Sequence, residues 1–137
     1  MPAEVILFPE RNLALFRHVG VSLADDCISA INTFIQMPGY RPEMAHLVDL
    51  SGVTEAAVDF NSMPGLVMRA ARLGHYFTQG LHCAIYAPDD VSFGFARMYQ
   101  QLAEQFLPFQ TGVFHDAAGA LAHAGQDIST LDALNPA

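Results

Sequence analysis

Four times along the 137-residue chain, a short apolar run is followed by a longer segment whose apolar residues return every three or four positions. The runs are "LALFRHV", "AHLVDL", "LHCAIYA" and "QTGVF". A short apolar run with polar flanks has the profile of a strand, and the spacing that follows gives a helix one apolar face. Parallel strands need a long crossover between them, and a helix is the usual one. Repeated strand–helix units therefore demand a mostly parallel sheet covered by helices.

A further run, "AEVILF", precedes the first unit and is separated from it by "PERN", whose proline, asparagine and charges favour a turn. These two runs should form an N-terminal hairpin, which makes the first strand the antiparallel member. Leu23, Cys27, Ile31, Phe34 and Ile35 predict a first helix from about Leu23 to Gln36, with Ser22 and Asp25 at capping-box spacing and "MPGYRP" as its stop. Met63, Leu66, Val67, Ala70, Leu73 and Phe77 predict the second helix, and Phe95, Met98, Tyr99, Leu102 and Phe106 the third. Asp116 is placed to cap a fourth helix, "AAGALAHA", which Gly125 can close in a left-handed conformation. The expectation is one α/β domain over residues 1–125, with about five strands and four helices, followed by residues 126–137 as a loosely held C-terminal tail. No internal repeat, low-complexity tract or linker divides it.

Apolar residues make up 52% of the chain and charged residues 15%, which is too apolar for disorder and enough for a packed core. All six basic residues are arginines, set against fourteen carboxylates, and the net charge of −8 should repel a phosphate backbone. Nucleic acid is therefore excluded as a partner. No apolar run approaches the roughly 20 residues of a membrane helix, and "MPAEVILFPERN" lacks the basic start and long apolar stretch of a signal peptide, so a cytoplasmic protein is expected. Cys27 and Cys83 lie inside apolar patterns with no second thiol nearby, as reduced core residues do.

In an open parallel sheet, ligands and partners meet the carboxyl ends of the strands. Two such corners are expected: "DLSGVTEAAVDFNS" before the second helix and "APDDVSFG" before the third. Asp49, Ser51 and Thr54 have the makings of a polar pocket, although aspartate followed by Ser-Gly is also ordinary turn chemistry. Asn61 or Ser62 is placed to cap the second helix, with Pro64 accepted in its first turn. Asp89 and Asp90 invite a carboxylate-pair reading, but adjacent side chains diverge and no third ligand stands at useful spacing, so a helix-dipole role at the start of the third helix, beside Ser92, is favoured. Arg97, among apolar residues, must reach solvent along its stem or pair with an acid. The histidines show no metal pattern, and no nucleophile elbow, dinucleotide fingerprint or phosphate loop is present, so neither a metal nor a cofactor is expected.

The strand end "VDLSGVT", the segment "AIYAPDDVSFGFARMYQQLAE" and the closing "VFHDAAGALAHA" resemble the SpoIIAA-like group of the STAS superfamily. The similarity covers roughly Glu4 to Gly125. It implies a SpoIIAA-like (STAS-like) fold, which is also likened to the lipid-binding Sec14 domain. Anti-sigma-factor antagonists of this superfamily carry a phosphorylated serine after "DLSGVT" and two apolar residues, preceded by aspartate. Here Asp59 is followed by Phe60, and Ser62, behind Asn61, is the first serine available, so the phosphoswitch pattern does not register and capping is the simpler role.

Two functions follow. One is a non-enzymatic regulatory module that docks a protein partner on the surface around Asp49 to Ser62, together with Asp89, Asp90, Ser92 and Arg97. The other is a carrier of a small apolar ligand, suggested by the Sec14 likeness and by ten phenylalanines and six methionines, for which a close-packed core is the plainer account. An enzyme ranks third. A homodimer is compatible with the apolar composition, but no residue marks its surface.

Overall fold

The computed structural model describes residues 3–22, 24–56 and 61–134, and in it five strands lie side by side in chain order. β1 (Glu4–Phe8) and β2 (Leu13–Ser22) form the expected antiparallel hairpin. Its turn is a short 3-10 segment, Pro9–Arg11, closed by Asn12 at a left-handed φ of 53°. β3 (Ala45–Ala56), β4 (His82–Tyr86) and β5 (Gln110–Phe114) then add in parallel. The helices are α1 (Ala24–Gln36), α2 (Met63–Ala71), α3 (Asp90–Ala103) and α4 (Ala117–His123). This is the expected α/β architecture.

Because each new strand is added on the same side of the last, right-handed crossovers put α1, α2 and α3 on one face of the sheet. Packing agrees: Ala14 and Phe16 of β2 meet Ala30 and Phe34 of α1, whereas the alternate residues Leu13 and Leu15 meet Ala120 and Leu121 of α4. α4 begins after the last strand and covers the opposite face. Its start is the expected cap, with Asp116 accepting from the Gly119 N–H at 2.6 Å. Its end is closed by Gly125 at φ 79°, with the Gln126 N–H donating to the Leu121 carbonyl.

Three differences from the sequence reading have physical causes. The "DLSGVT" corner is strand: β3 runs to Ala56, and its pairing with β2 absorbs an extra residue between Asp49 and Gly52 and another between Val53 and Glu55. Such bulges keep a Ser-Gly segment inside a ladder. A Cβ at Gly52 would lie 2.7 Å from Val19 Cγ1 and 3.2 Å from the His18 carbonyl oxygen, which is why glycine stands there. The second helix is shorter than its apolar spacing predicts; it stops at Ala71, and Gly74–Tyr76 forms a separate 3-10 turn. Residues 126–134, expected to hang loosely, instead pack on the sheet: Leu134 is buried against Leu13, Leu15 and Leu47, with Ile128 and Leu131 beside it. The proposed capping of α1 by Ser22 depends on Leu23 and on the Ser22 side chain, which lie outside the described residues. Among the described residues no helix is long and apolar enough to cross a membrane.

Candidate functional site

The bulge at Gly52 has a consequence for side-chain direction. His46, Val48 and Leu50 alternate onto the α1–α3 face, and the extra residue brings Val53 onto that face as well. With Phe16 and His18 of β2, and Cys83 and Ile85 of β4, they form the floor of a cavity of about 150 Å³ that is partly open to solvent. Its roof is helical and includes the small side chains of Ala30 in α1, Ala70 in α2 and Ala96 in α3. Met63, Leu66, Phe95 and Tyr99 also belong to it. The wall is almost wholly apolar, and none of the six arginines belongs to it.

His46 belongs to that wall, and only 4% of it is exposed. Its ring sits among Phe16, Phe34, Phe77 and Phe109, with centroid distances of 5.0 to 5.3 Å. Its Nε2 has no hydrogen-bond partner among the described residues. Burial pushes its pKa from 6.5 down to about 3, so the imidazole is neutral. His18, also buried, is shifted downward by desolvation, against the opposing pull of Asp26 and Asp49. The thiols of Cys27 and Cys83 are free, and burial raises them to about 11 and about 12, which leaves them protonated and unreactive at neutral pH.

The residues singled out from sequence do not gather in this cavity. Asp49 is buried on the opposite face of the sheet, where its carboxylate pairs with Arg17 at 3.5 Å and accepts from the Ser51 N–H at 2.9 Å. Ser51 and Thr54 are exposed on the β3 extension. Asn61 and Ser62 are exposed before α2, and Asp59 lies outside the described residues. Ser62 stands at the N-cap position, yet its φ and ψ of −87° and −16° are already helical and its side chain makes no capping bond. A cap needs extended dihedrals to aim its oxygen at the N–H groups of the next residues, and Pro64 has none to offer. Asp89 does cap α3, accepting from the N–H groups of Val91 and Ser92 at 2.9 and 3.0 Å. Its bonds from Ser92, backbone first and then side chain, hold its carboxyl below the usual range. Asp90 follows in the first turn. Ser92 alone of the proposed surface residues also borders the cavity. Arg97 reaches solvent, the first of its two expected outcomes, and donates to Gln100 Oε1 at 3.1 Å.

The strand order also removes the basis for a carboxyl-end crevice. That crevice forms where neighbouring crossovers leave on opposite faces of the sheet, and here β2 to β5 progress without reversal. The sheet offers its recess underneath the helices instead. The alternation His46, Val48, Leu50 carried the signal for His46; the alanines of α1, α2 and α3 became informative only once the three helices were brought together. Among the described residues no group of three histidines, cysteines or carboxylates is placed to hold a metal ion.

An N-terminal hairpin, three parallel additions under three helices, and a fourth helix behind define a SpoIIAA-like fold. The chain is similar to the crystal structure of an uncharacterised DUF3478-family protein with a SpoIIAA-like fold from Shewanella loihica PV-4. That likeness covers 88% of this chain and 90% of the other, with a TM-score of 0.53 and 16% identity, and it shows the fold alone. No protein-family model and no curated protein matches the chain.

Proposed function

We propose that the protein binds a small, uncharged, largely apolar molecule between the sheet and helices α1 to α3. The unfilled cavity of about 150 Å³ carries this reading. Interiors are normally close-packed, and an unfilled cavity costs about 24 cal/mol per Å³. Because this one is partly open, roughly 3–4 kcal/mol is the upper bound on what filling it would recover, which corresponds to affinity of about 1 mM or weaker for a bare hydrocarbon. A cavity of this size suits a molecule of benzene to indole dimensions. A two-chain lipid is too large for it, so the occupant is smaller than the Sec14 likeness alone suggests. Titration with toluene, followed by amide NMR, should move resonances of α1, α2, α3 and β3 and leave α4 unchanged. Unmoved resonances at millimolar toluene would sink the reading.

A second reading, a surface for a protein partner, is supported by the exposed end of the β2–β3 ladder. β2 and β3 run past the four residue pairs that join β3 to β4, and they leave Val19 and Val21 each 41% exposed. A phosphate on nearby Ser51, Thr54 or Ser62 would add up to two negative charges and oppose docking to an acidic partner. Incubation with cell-lysate kinases and nucleoside triphosphate, followed by mass spectrometry, tests the switch: protein without phosphate at these positions removes it.

A further inference from the structure

We infer that the occupant of this cavity carries one neutral hydrogen-bonding group, a hydroxyl or a carbonyl, and that this group pairs with the imidazole of His46. The inference rests on the reading of the cavity as a ligand site and adds the chemistry that site selects.

The argument begins with what is unmet. A neutral imidazole always has one N–H to donate and one lone pair to fill, and Nε2 of His46 is buried without a partner among the described residues. Burying an unpaired polar group is unfavourable, so a pure hydrocarbon core would be better served here by leucine or phenylalanine. The four surrounding phenylalanine rings exclude water from the ring rather than satisfy it. The histidine thus brings a buried polar atom without a partner to a cavity whose wall is mostly apolar.

The wall holds other polar groups, His18, Ser92, Tyr99 and two thiols, but among the described residues His46 Nε2 is the lining nitrogen or oxygen that is buried without a partner. Ser92, at the α3 end of the cavity, directs both its N–H and its hydroxyl to Asp89. Cys27 and Cys83 present protonated thiols, which are weak donors and weak acceptors. With no arginine in the wall, an ionised ligand would meet no counter-charge, and burying an unpaired charge is strongly unfavourable. These observations together select an apolar body, a single polar end and no net charge.

The test uses toluene and phenol, which have nearly the same shape, and benzoate as the charged member. In the intact protein, phenol should bind about as tightly as toluene despite its greater cost of leaving water, and benzoate at least about a hundredfold more weakly. His46→Leu should weaken phenol about tenfold or more and leave toluene within about threefold. The ring ¹⁵N resonances of His46 should shift with phenol and move little with toluene, a readout that needs no variant and decides the matter if His46→Leu does not fold. Toluene binding with an unchanged phenol-to-toluene ratio in His46→Leu, or with identical ¹⁵N responses to both probes, overturns the inference and leaves the cavity reading standing. Binding of neither toluene nor phenol overturns both.

Discussion

The two faces of the sheet use the same strands and reach opposite packing outcomes. Behind it, Leu13, Leu15, Leu47, Leu121 and Leu134 are all buried and in one cluster with Ala84, Ala120 and Ala124. In front, Phe34, Met44, Met63 and Val67 are just as deeply buried, yet the helices and the sheet leave a cavity of about 150 Å³ between them. A short helix of seven residues with a following segment can adjust its position to fill gaps. Three helices tied to successive strands are constrained by their connections and by one another, so the side chains they present determine whether the space is filled. The helical face thus keeps a cavity with a histidine among phenylalanines, whereas the leucine face packs on itself.

The contrast can be broken most directly at Leu47, on the close-packed side. Leu47→Ala should cost about 3 kcal/mol in denaturant unfolding, by loss of buried methyl groups and creation of a new cavity. A cost near zero would mean that both faces are loosely packed. The next effect is pH dependence from the cavity side. The imidazole of His46 titrates near 6.5 when unfolded and at about 3 when folded, so between these values the unfolded chain binds more protons and stability falls as the pH falls. Stability should drop by about 2 kcal/mol from pH 7 to pH 5, and His46→Leu should remove most of that slope. His18, shifted in the same direction, accounts for some of what remains.

A smaller effect, of opposite sign, is expected from filling the cavity. Ala96→Leu should raise stability by about 1 kcal/mol and abolish toluene binding; a loss of stability would show that the space collapses or is already filled in solution. The smallest sharpening of the contrast comes from α4. Asp116→Ala removes the 2.6 Å cap to Gly119 and should cost about 0.5–1 kcal/mol, with toluene affinity unchanged because α4 lies behind the sheet.

Local chemistry made much of the fold legible. β5 spans the residues its apolar run marks, and the Asp116 cap and the left-handed Gly125 fall where their side chains and backbone freedom demand. The β3 extension was hidden because Ser-Gly commonly ends a strand, and only pairing with β2 through two bulges carries it on. The docked C-terminal segment left a fainter mark, the three-residue spacing of Ile128, Leu131 and Leu134, which is too short to fix a helix. For the site, the alternation of β3 pointed His46 at the core, but the space beside it arises from residues of three helices that are far apart in the chain. Absence of bulk has no local motif. The carboxyl-end residues were attractive because they are polar and follow strands, and in the folded protein Asp49 and Asp89 spend that polarity on Ser51, Val91 and Ser92 backbone groups.

A sheet whose spatial order equals its chain order also prescribes a sequence of assembly. Each strand from β2 onward can pair with one already in place, and no later strand must be inserted between two earlier ones. Each parallel pairing still closes a long loop across a helix, which makes it slow to form, but the order suits growth from the N-terminal side during synthesis. The leucine face is the exception. Leu13 and Leu15 are covered by Leu121 and Leu134, which follow them only after three strand and helix units. Until residue 134 has emerged, a nascent chain leaves this leucine face partly bare, and the segment around Leu134 is the stitch that closes it.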